Sequence, residues 1–166
     1  MDSPNLAGDT SWEYDGRMNS ANSTLPVRQL GPWQVSAVGL GAMPLSFANM
    51  LDHREQAIAT IHRAMDLGVT LIDTANIYAP SWDAVGHSEA LVAEALALYS
   101  GPADTSRIVV ATKGGITRGK GETWSRDGSA SGLKAACEAS MTALGVTVIN
   151  LYQHHRHDSR ETYADQ

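Results

Sequence analysis

The stretch VTLIDTANIY, residues 69–78, combines an apolar run of strand length with polar residues at its end. The run is apolar throughout and does not alternate with polar residues, which predicts a strand buried on both faces. Asp73 lies at the end of this run, and Tyr78 follows shortly after it. Strands of this kind occur in parallel sheets covered by helices, so the stretch predicts an α/β fold with a carboxylate and a phenol at a strand mouth.

Three similar strands flank this one, and helical segments separate them. VSAVGLGAM precedes it, whereas VVATKGG and VTVINLYQHH follow it. Apolar residues at helical spacing predict three intervening helices. The first begins with an Asp52 and Glu55 capping box and ends at Gly68, the second begins near Ser88, and the third ends at Gly145. Right-handed crossovers then place the carboxyl end of every strand at one edge of the sheet.

Three segments lie outside this alternation. Residues 1–24 are rich in Ser, Asn, Asp and Gly without periodicity, which predicts a disordered leader before a domain at residues 25–166. Two short strands around Gly31 and Pro32, VRQLG and WQVSAVGLGAM, predict an N-terminal hairpin whose second strand runs into the buried strand that ends near Gly41. The polar residues 114–131 are glycine-rich and predict a long surface loop that acts as a solvated lid.

Composition narrows the classes of function. The chain has 166 residues, 43% of them hydrophobic, and a formal net charge of -6, which is typical of a globular protein. Its Lys and Arg residues are scattered, so no basic face for nucleic acid is predicted. The single cysteine, Cys137, cannot form an internal disulfide. With no apolar run long enough to span a membrane and no secretory signal, we expect a cytoplasmic protein.

An acid, a phenol, an amine and an imidazole follow the predicted strands: Asp73, Tyr78, Lys113 and His155. A phenol is a weak acid near neutrality, and an ammonium within hydrogen-bond reach stabilises its phenolate. A buried lysine needs a carboxylate to stay charged, so we expect Asp73 to pair with Lys113. His155 could donate a hydrogen bond to the same substrate oxygen as Tyr78. The set predicts carbonyl reduction with hydride from a cofactor.

Other interpretations of these residues stay open. Taken alone, Asp73 could cap a turn, Tyr78 could be a half-buried aromatic, and Lys113 could be a solvated charge. His155 and His157 share one face of an extended strand, a spacing used by metal-dependent barrel hydrolases. The ion pair explains Asp73 and Lys113 better than a metal does, so no metal site is predicted.

At these residues the chain resembles the aldo-keto reductase family, which consists of NADPH-dependent oxidoreductases with a (β/α)8 barrel. The resemblance covers about residues 27–160. It rests on VGLGAM, on IDTANIY, on VVATKGG and on LYQHH, the second and fourth matching the family patterns Asp-Thr-Ala-x-x-Tyr and Leu-Tyr-Gln-x-His. The resemblance implies a catalytic tetrad at these positions: Asp73, Tyr78, Lys113 and His155.

The resemblance also implies NADP(H) as cofactor, a small-molecule carbonyl as substrate, and cofactor contacts from Gly41, Ala42, Met43 and Asp73. The sequence departs from the family at Asn150, where an aspartate is common, and at His154 and His157, where apolar residues or proline are frequent. A (β/α)8 barrel typically needs about 250 residues. The expected fold is therefore of TIM-barrel type, truncated to about the first four β/α units, without the later loops that hold most of the cofactor.

Two hypotheses follow for function. The first is an NADP-dependent reductase of aldehydes or ketones, of which this chain is the N-terminal half. The second is a catalytically silent half-barrel that self-associates or pairs with another chain, because an open sheet exposes the edges of its first and fourth strands.

Overall fold

The structure, a computed structural model, describes residues 25–161, and the leader predicted at residues 1–24 lies outside that range. Its centre is a parallel sheet with the strands β3 (Leu40–Gly41), β4 (Leu71–Asp73), β5 (Val109–Gly114) and β8 (Leu151–His154), in that order. The helices that alternate with them are α1 (Arg54–Asp66), α2 (His87–Leu98) and α3 (Ala130–Leu144). The predicted alternation of four parallel strands and three helices is confirmed.

The core lies between the helices and one face of the sheet. It is built from these residues: Ile61 and Met65 of α1, Leu91, Val92 and Ala95 of α2, and Ile72 and Val110 of the sheet. Complete burial of one such large side chain contributes about 1.5–3 kcal/mol. The core thus fixes how α1 and α2 sit on the strands.

Burial on both faces, predicted for all four strands, holds for β5 and only in part for the other three. Strand β5 is almost entirely buried, whereas Gly41 of β3 and His154 of β8 are exposed. The physical reason is that the helices cover one face, and in the described residues no second layer covers the outer strands. The fourth strand is also shorter than predicted, because it begins only at Leu151 and Val148 is exposed.

Two hairpins accompany the sheet. β1 (Val27–Leu30) and β2 (Trp33–Ser36) form the predicted N-terminal hairpin, although β2 ends before β3 instead of running into it. β6 (Ile116–Gly119) and β7 (Thr123–Arg126) form a second antiparallel hairpin. The prediction of a loop was wrong here, because both faces of this hairpin are largely polar and give no alternating apolar signal.

The entry into α1 also differs from prediction. Asp52 lies in a short 3-10 helix, Ala48–His53, and His53 occupies the N-cap position without a side-chain hydrogen bond. The capping-box prediction was therefore wrong, because the chain already turns in a 3-10 helix before α1 begins. The end of α3 at Gly145, which has a φ of +66°, agrees with the prediction.

Candidate active site

Lys113 is the centre of a polar cluster at the carboxyl end of the sheet. Its Nζ donates to Asp73 Oδ2 at 2.7 Å, to the Thr74 carbonyl at 2.8 Å and to the Tyr78 hydroxyl at 3.2 Å. Its side chain is only 11% exposed, compared with 39% for Asp73. The ammonium thus uses its three protons on one carboxylate, one carbonyl and one phenol.

Strand register places the lysine beside the carboxylate. Asp73, the last residue of β4, pairs with Ala111 of β5, and Lys113 lies two residues further along β5. Because side chains alternate along a strand, Ala111 and Lys113 project from the same face. The long lysine side chain then reaches back to the end of β4.

Tyr78 is held in a tight connection between β4 and α2. Its amide donates to the Ala75 carbonyl at 3.1 Å, and its own carbonyl accepts from the Ser88 amide at 3.0 Å. The tyrosine is thereby fixed between a turn and the first residues of α2. Its hydroxyl points to Lys113, and the Lys113 Nζ lies 4.8 Å from the centre of its ring.

His155 follows β8 directly and packs against the tyrosine. Its amide donates to the Gly114 carbonyl at 2.8 Å, and its ring meets the Tyr78 ring edge-on, with centroids 5.7 Å apart. Burial lowers the pKa of His155, and the positive charge of Lys113 lowers it further, although Asp73 opposes the shift. The imidazole is therefore neutral at pH 7 and can donate through one nitrogen only.

Gln153 is a site residue to which the sequence assigned no role. Its Nε2 donates to Asp73 Oδ1 at 3.2 Å, so the two carboxylate oxygens of Asp73 accept from different side chains. Gln153 pairs in register with Lys113, which explains how it reaches the same carboxylate. Its position in LYQHH, two residues before His155, is the only signal that the sequence offers.

The predicted cofactor residues lie at the end of β3, next to Asp73. Gly41 is exposed and pairs with Asp73, and a methyl group added at Gly41 would have no atom within 4 Å. Ala42 is fully buried and donates its amide to the Asp73 carbonyl at 2.8 Å, so it offers no surface to a cofactor. Met43 is exposed. Gly41 and Met43 are therefore the two of these residues that present a surface next to Asp73.

The described residues contain neither a cluster of metal ligands nor a helix that could cross a membrane. Between residues 25 and 161, no group of three or more His, Cys, Asp or Glu side chains is arranged to hold a metal ion. In the same part of the chain, no helix has the length and apolar character needed to cross a membrane.

Comparisons with known proteins give a consistent result. A model of the aldo/keto reductase family matches residues 37–166. An uncharacterized oxidoreductase of Schizosaccharomyces pombe is 35% identical over 141 residues, which are 83% of this chain and 42% of that protein.

Solved structures with a similar fold include three bacterial proteins. An aldo-keto reductase from Bacillus halodurans, in its holo form, has a TM-score of 0.69 and 28% identity, covering 85% of this chain and 43% of its own. A glycerol dehydrogenase from Gluconobacter oxydans has a TM-score of 0.68 and 30% identity, with coverages of 83% and 40%. A putative aldo-keto reductase from Pseudomonas aeruginosa has a TM-score of 0.66 and 26% identity, with coverages of 82% and 50%.

These matches confirm a fold of TIM-barrel type, represented here by its N-terminal part. The chain spans half or less of the length of each of these relatives.

Proposed function

The chain belongs to the aldo/keto reductase family of oxidoreductases, and we propose that it carries the proton-transfer residues of an NADPH-dependent reductase of aldehydes or ketones. The observation that supports this most strongly is the contact of 3.2 Å between the Lys113 ammonium and the Tyr78 hydroxyl. The family generally uses nicotinamide cofactors and acts on small carbonyl compounds. A cytoplasmic location, consistent with the single Cys137, is part of the proposal.

In the proposed mechanism, Tyr78 donates its proton to the substrate oxygen as the carbonyl carbon is reduced. The Lys113 ammonium stabilises the phenolate that remains. Asp73 keeps Lys113 charged. The neutral imidazole of His155 donates a hydrogen bond to the substrate oxygen, which polarises the carbonyl bond without adding a second full charge.

Bound NADPH would supply the hydride for this reaction. Gly41 and Met43 would contact the bound cofactor, because both are exposed at the end of β3, where Gly41 pairs with Asp73. A cofactor can approach the backbone closely at a position that has no side chain.

A reductase assay with NADPH and a panel of aldehydes and ketones tests this proposal, with Tyr78→Phe as the matched variant. We expect turnover in the unmodified protein and a loss of about 100-fold or more in the variant, because the phenylalanine keeps the ring and removes only the proton donor. Because the relatives are longer than this chain, the assay should also use a version of the protein extended beyond Gln166. Turnover that survives Tyr78→Phe would contradict the role of the tyrosine, and failure with every carbonyl would contradict the reductase function.

A second candidate is a catalytically silent protein that self-associates. The observation that favours it is the open sheet: within residues 25–161, the outer edges of β3 and β8 pair with no further strand. Such edges are templates for pairing between chains. Light scattering after size-exclusion chromatography would test it, and a monomer at all concentrations with one cooperative unfolding transition would refute it.

A further inference from the structure

The β6–β7 hairpin contacts the segment that follows Tyr78 through two charged side chains. Arg118 Nη1 donates to the Ala79 carbonyl at 2.6 Å. Glu122 Oε1 accepts from the Trp82 amide at 2.9 Å. Both contacts join positions about 40 residues apart in the chain, so they fix the tertiary position of the segment and not its local turn.

These two side chains also hold each other. Arg118 Nε donates to Glu122 Oε2 at 2.6 Å, and the Arg118 guanidinium lies 5.1 Å from the centre of the Trp124 ring. The Arg118 side chain is only 10% exposed, although it carries a full charge. Charge-assisted hydrogen bonds of this kind are stronger than neutral ones. The guanidinium is therefore committed to this contact and is not a free surface charge, as the predicted solvated lid would have required.

The backbone of the hairpin turn also indicates that Glu122 is held in place by its contacts. Glu122 has a φ of +62°, the only positive φ of a non-glycine residue among those described. A glutamate in this conformation costs about 1 kcal/mol or more, and such strain persists where surrounding contacts impose it. Here the imposing contacts are those to Arg118 and Trp82.

The hydrogen bonds of Tyr78 itself do not extend to the residues that follow it. The Tyr78 amide and carbonyl bind Ala75 and Ser88, which fixes the residue up to its carbonyl. Beyond it, the hydrogen bonds that reach Ala79 and Trp82 from the described hairpin come from Arg118 and Glu122.

We propose that Arg118 and Glu122 are positioning residues, which clamp residues 79–82 and thereby keep the Tyr78 hydroxyl within reach of Lys113. The catalytic consequence of this clamp rests on the proposed reductase function, whereas its structural part does not.

The test compares Arg118→Met, Arg118→Lys and Glu122→Ala with Lys134→Met as control. Lys134 and Glu138 form an i,i+4 pair like Arg118 and Glu122, but at 4.0 Å and with the lysine 78% exposed. Thermal unfolding of each variant establishes that it is folded. Arg118→Lys keeps the charge but cannot donate in two directions from one planar group.

Two structural measurements come first: hydrogen exchange at the Trp82 amide, and the NMR signal of the Tyr78 ring carbon that bears the hydroxyl. We expect exchange at the Trp82 amide to rise about tenfold in both variants. Glu122→Ala removes the acceptor of that amide, and Arg118→Met removes the contacts that hold Glu122 and the Ala79 carbonyl in place. We expect the Tyr78 signal to move in both variants, an intermediate effect in Arg118→Lys, and no change in Lys134→Met. An unchanged Tyr78 signal and unchanged Trp82 exchange in Arg118→Met would overturn the proposal.

The kinetic measurement separates this inference from the reductase function. If the protein reduces a carbonyl, Arg118→Met should lower kcat about tenfold and leave the KM for NADPH unchanged, because the clamp acts on the proton donor. If the protein reduces none while exchange and the Tyr78 signal still change, the clamp stands and the reductase function fails. Equal kinetics in Arg118→Met and in the control would overturn the catalytic role of the clamp.

Discussion

The Lys113 ammonium lies 2.7 Å from Asp73 Oδ2, although the two residues are 40 positions apart in the chain. Parallel pairing of β4 with β5 brings them together, since both lie at the carboxyl end of neighbouring strands. The pair links Gln153 to Tyr78 through a chain of hydrogen bonds. Asp73 accepts from Gln153 and Lys113, and Lys113 in turn contacts the phenol of Tyr78.

A double-mutant cycle with Asp73→Asn and Lys113→Met should show a coupling of about 1 kcal/mol in the free energy of unfolding. The value is small for a bonded ion pair because Asp73 is 39% exposed and water screens its charge. Chemical denaturation of the four proteins measures it, and added salt should reduce it. Strictly additive effects of the two substitutions would show that the pair contributes nothing to stability.

The stability of the protein should fall on acidification below about pH 6.5, in part through His155. Burial and Lys113 lower its pKa in the fold, so the unfolded chain takes up the proton more readily. The contribution of neutral His155 to stability is complete above the pKa that His155 has in the unfolded chain. It is lost as the pH falls through the lower pKa that His155 has in the folded protein. His155→Gln should reduce this pH slope without abolishing it, because burial lowers the pKa of His87 as well. A slope unchanged by His155→Gln would contradict the shift.

Glu89→Gln should stabilise the protein at about pH 7.5 more than at about pH 4.5. These two pH values lie on either side of the range in which the Glu89 carboxyl loses its proton in the folded protein. Glu89 is fully buried, and this burial raises its pKa, although the hydrogen bond from the Thr112 hydroxyl opposes the shift. Because the pKa of Glu89 is raised in the folded protein, protonated Glu89 contributes to stability below the pKa that it has in the unfolded chain. This contribution is lost as the pH rises through the pKa of the folded state. Glutamine keeps an acceptor for the Thr112 hydroxyl, which donates at 2.5 Å. Melting temperatures at the two pH values test this, and an equal difference at both would refute it.

Gly115→Ala should destabilise the protein by about 1–3 kcal/mol. Its φ is +100°, and an added Cβ would lie 2.7 Å from the His154 ring. Gly31→Ala is the control, because Gly31 also has a positive φ, +55°, but open space around the added carbon. Urea unfolding should therefore show a larger loss for Gly115→Ala, and equal losses would mean that the backbone conformation alone matters.

The sequence predicted the sheet and the polar cluster for a local reason. Asp73, Lys113 and His155 each follow or end an apolar run, and parallel strands bring such ends to one edge. The capping box at Asp52 was wrong, because a local motif does not reveal the 3-10 turn that precedes it. The hairpin of β6 and β7 was missed, because its strands are stabilised by side-chain contacts with another segment and not by an apolar face.

By itself, the sequence determined the alternation of strands and helices and the identity of the residues at the strand ends, because both depend on short apolar patterns. Only the tertiary structure decided that Gln153 binds Asp73, that Ala42 is buried beneath the site, and that Arg118 and Glu122 hold the segment after Tyr78. The physical reason is distance along the chain: such contacts depend on how separate strands and hairpins are placed in space, which no local pattern encodes.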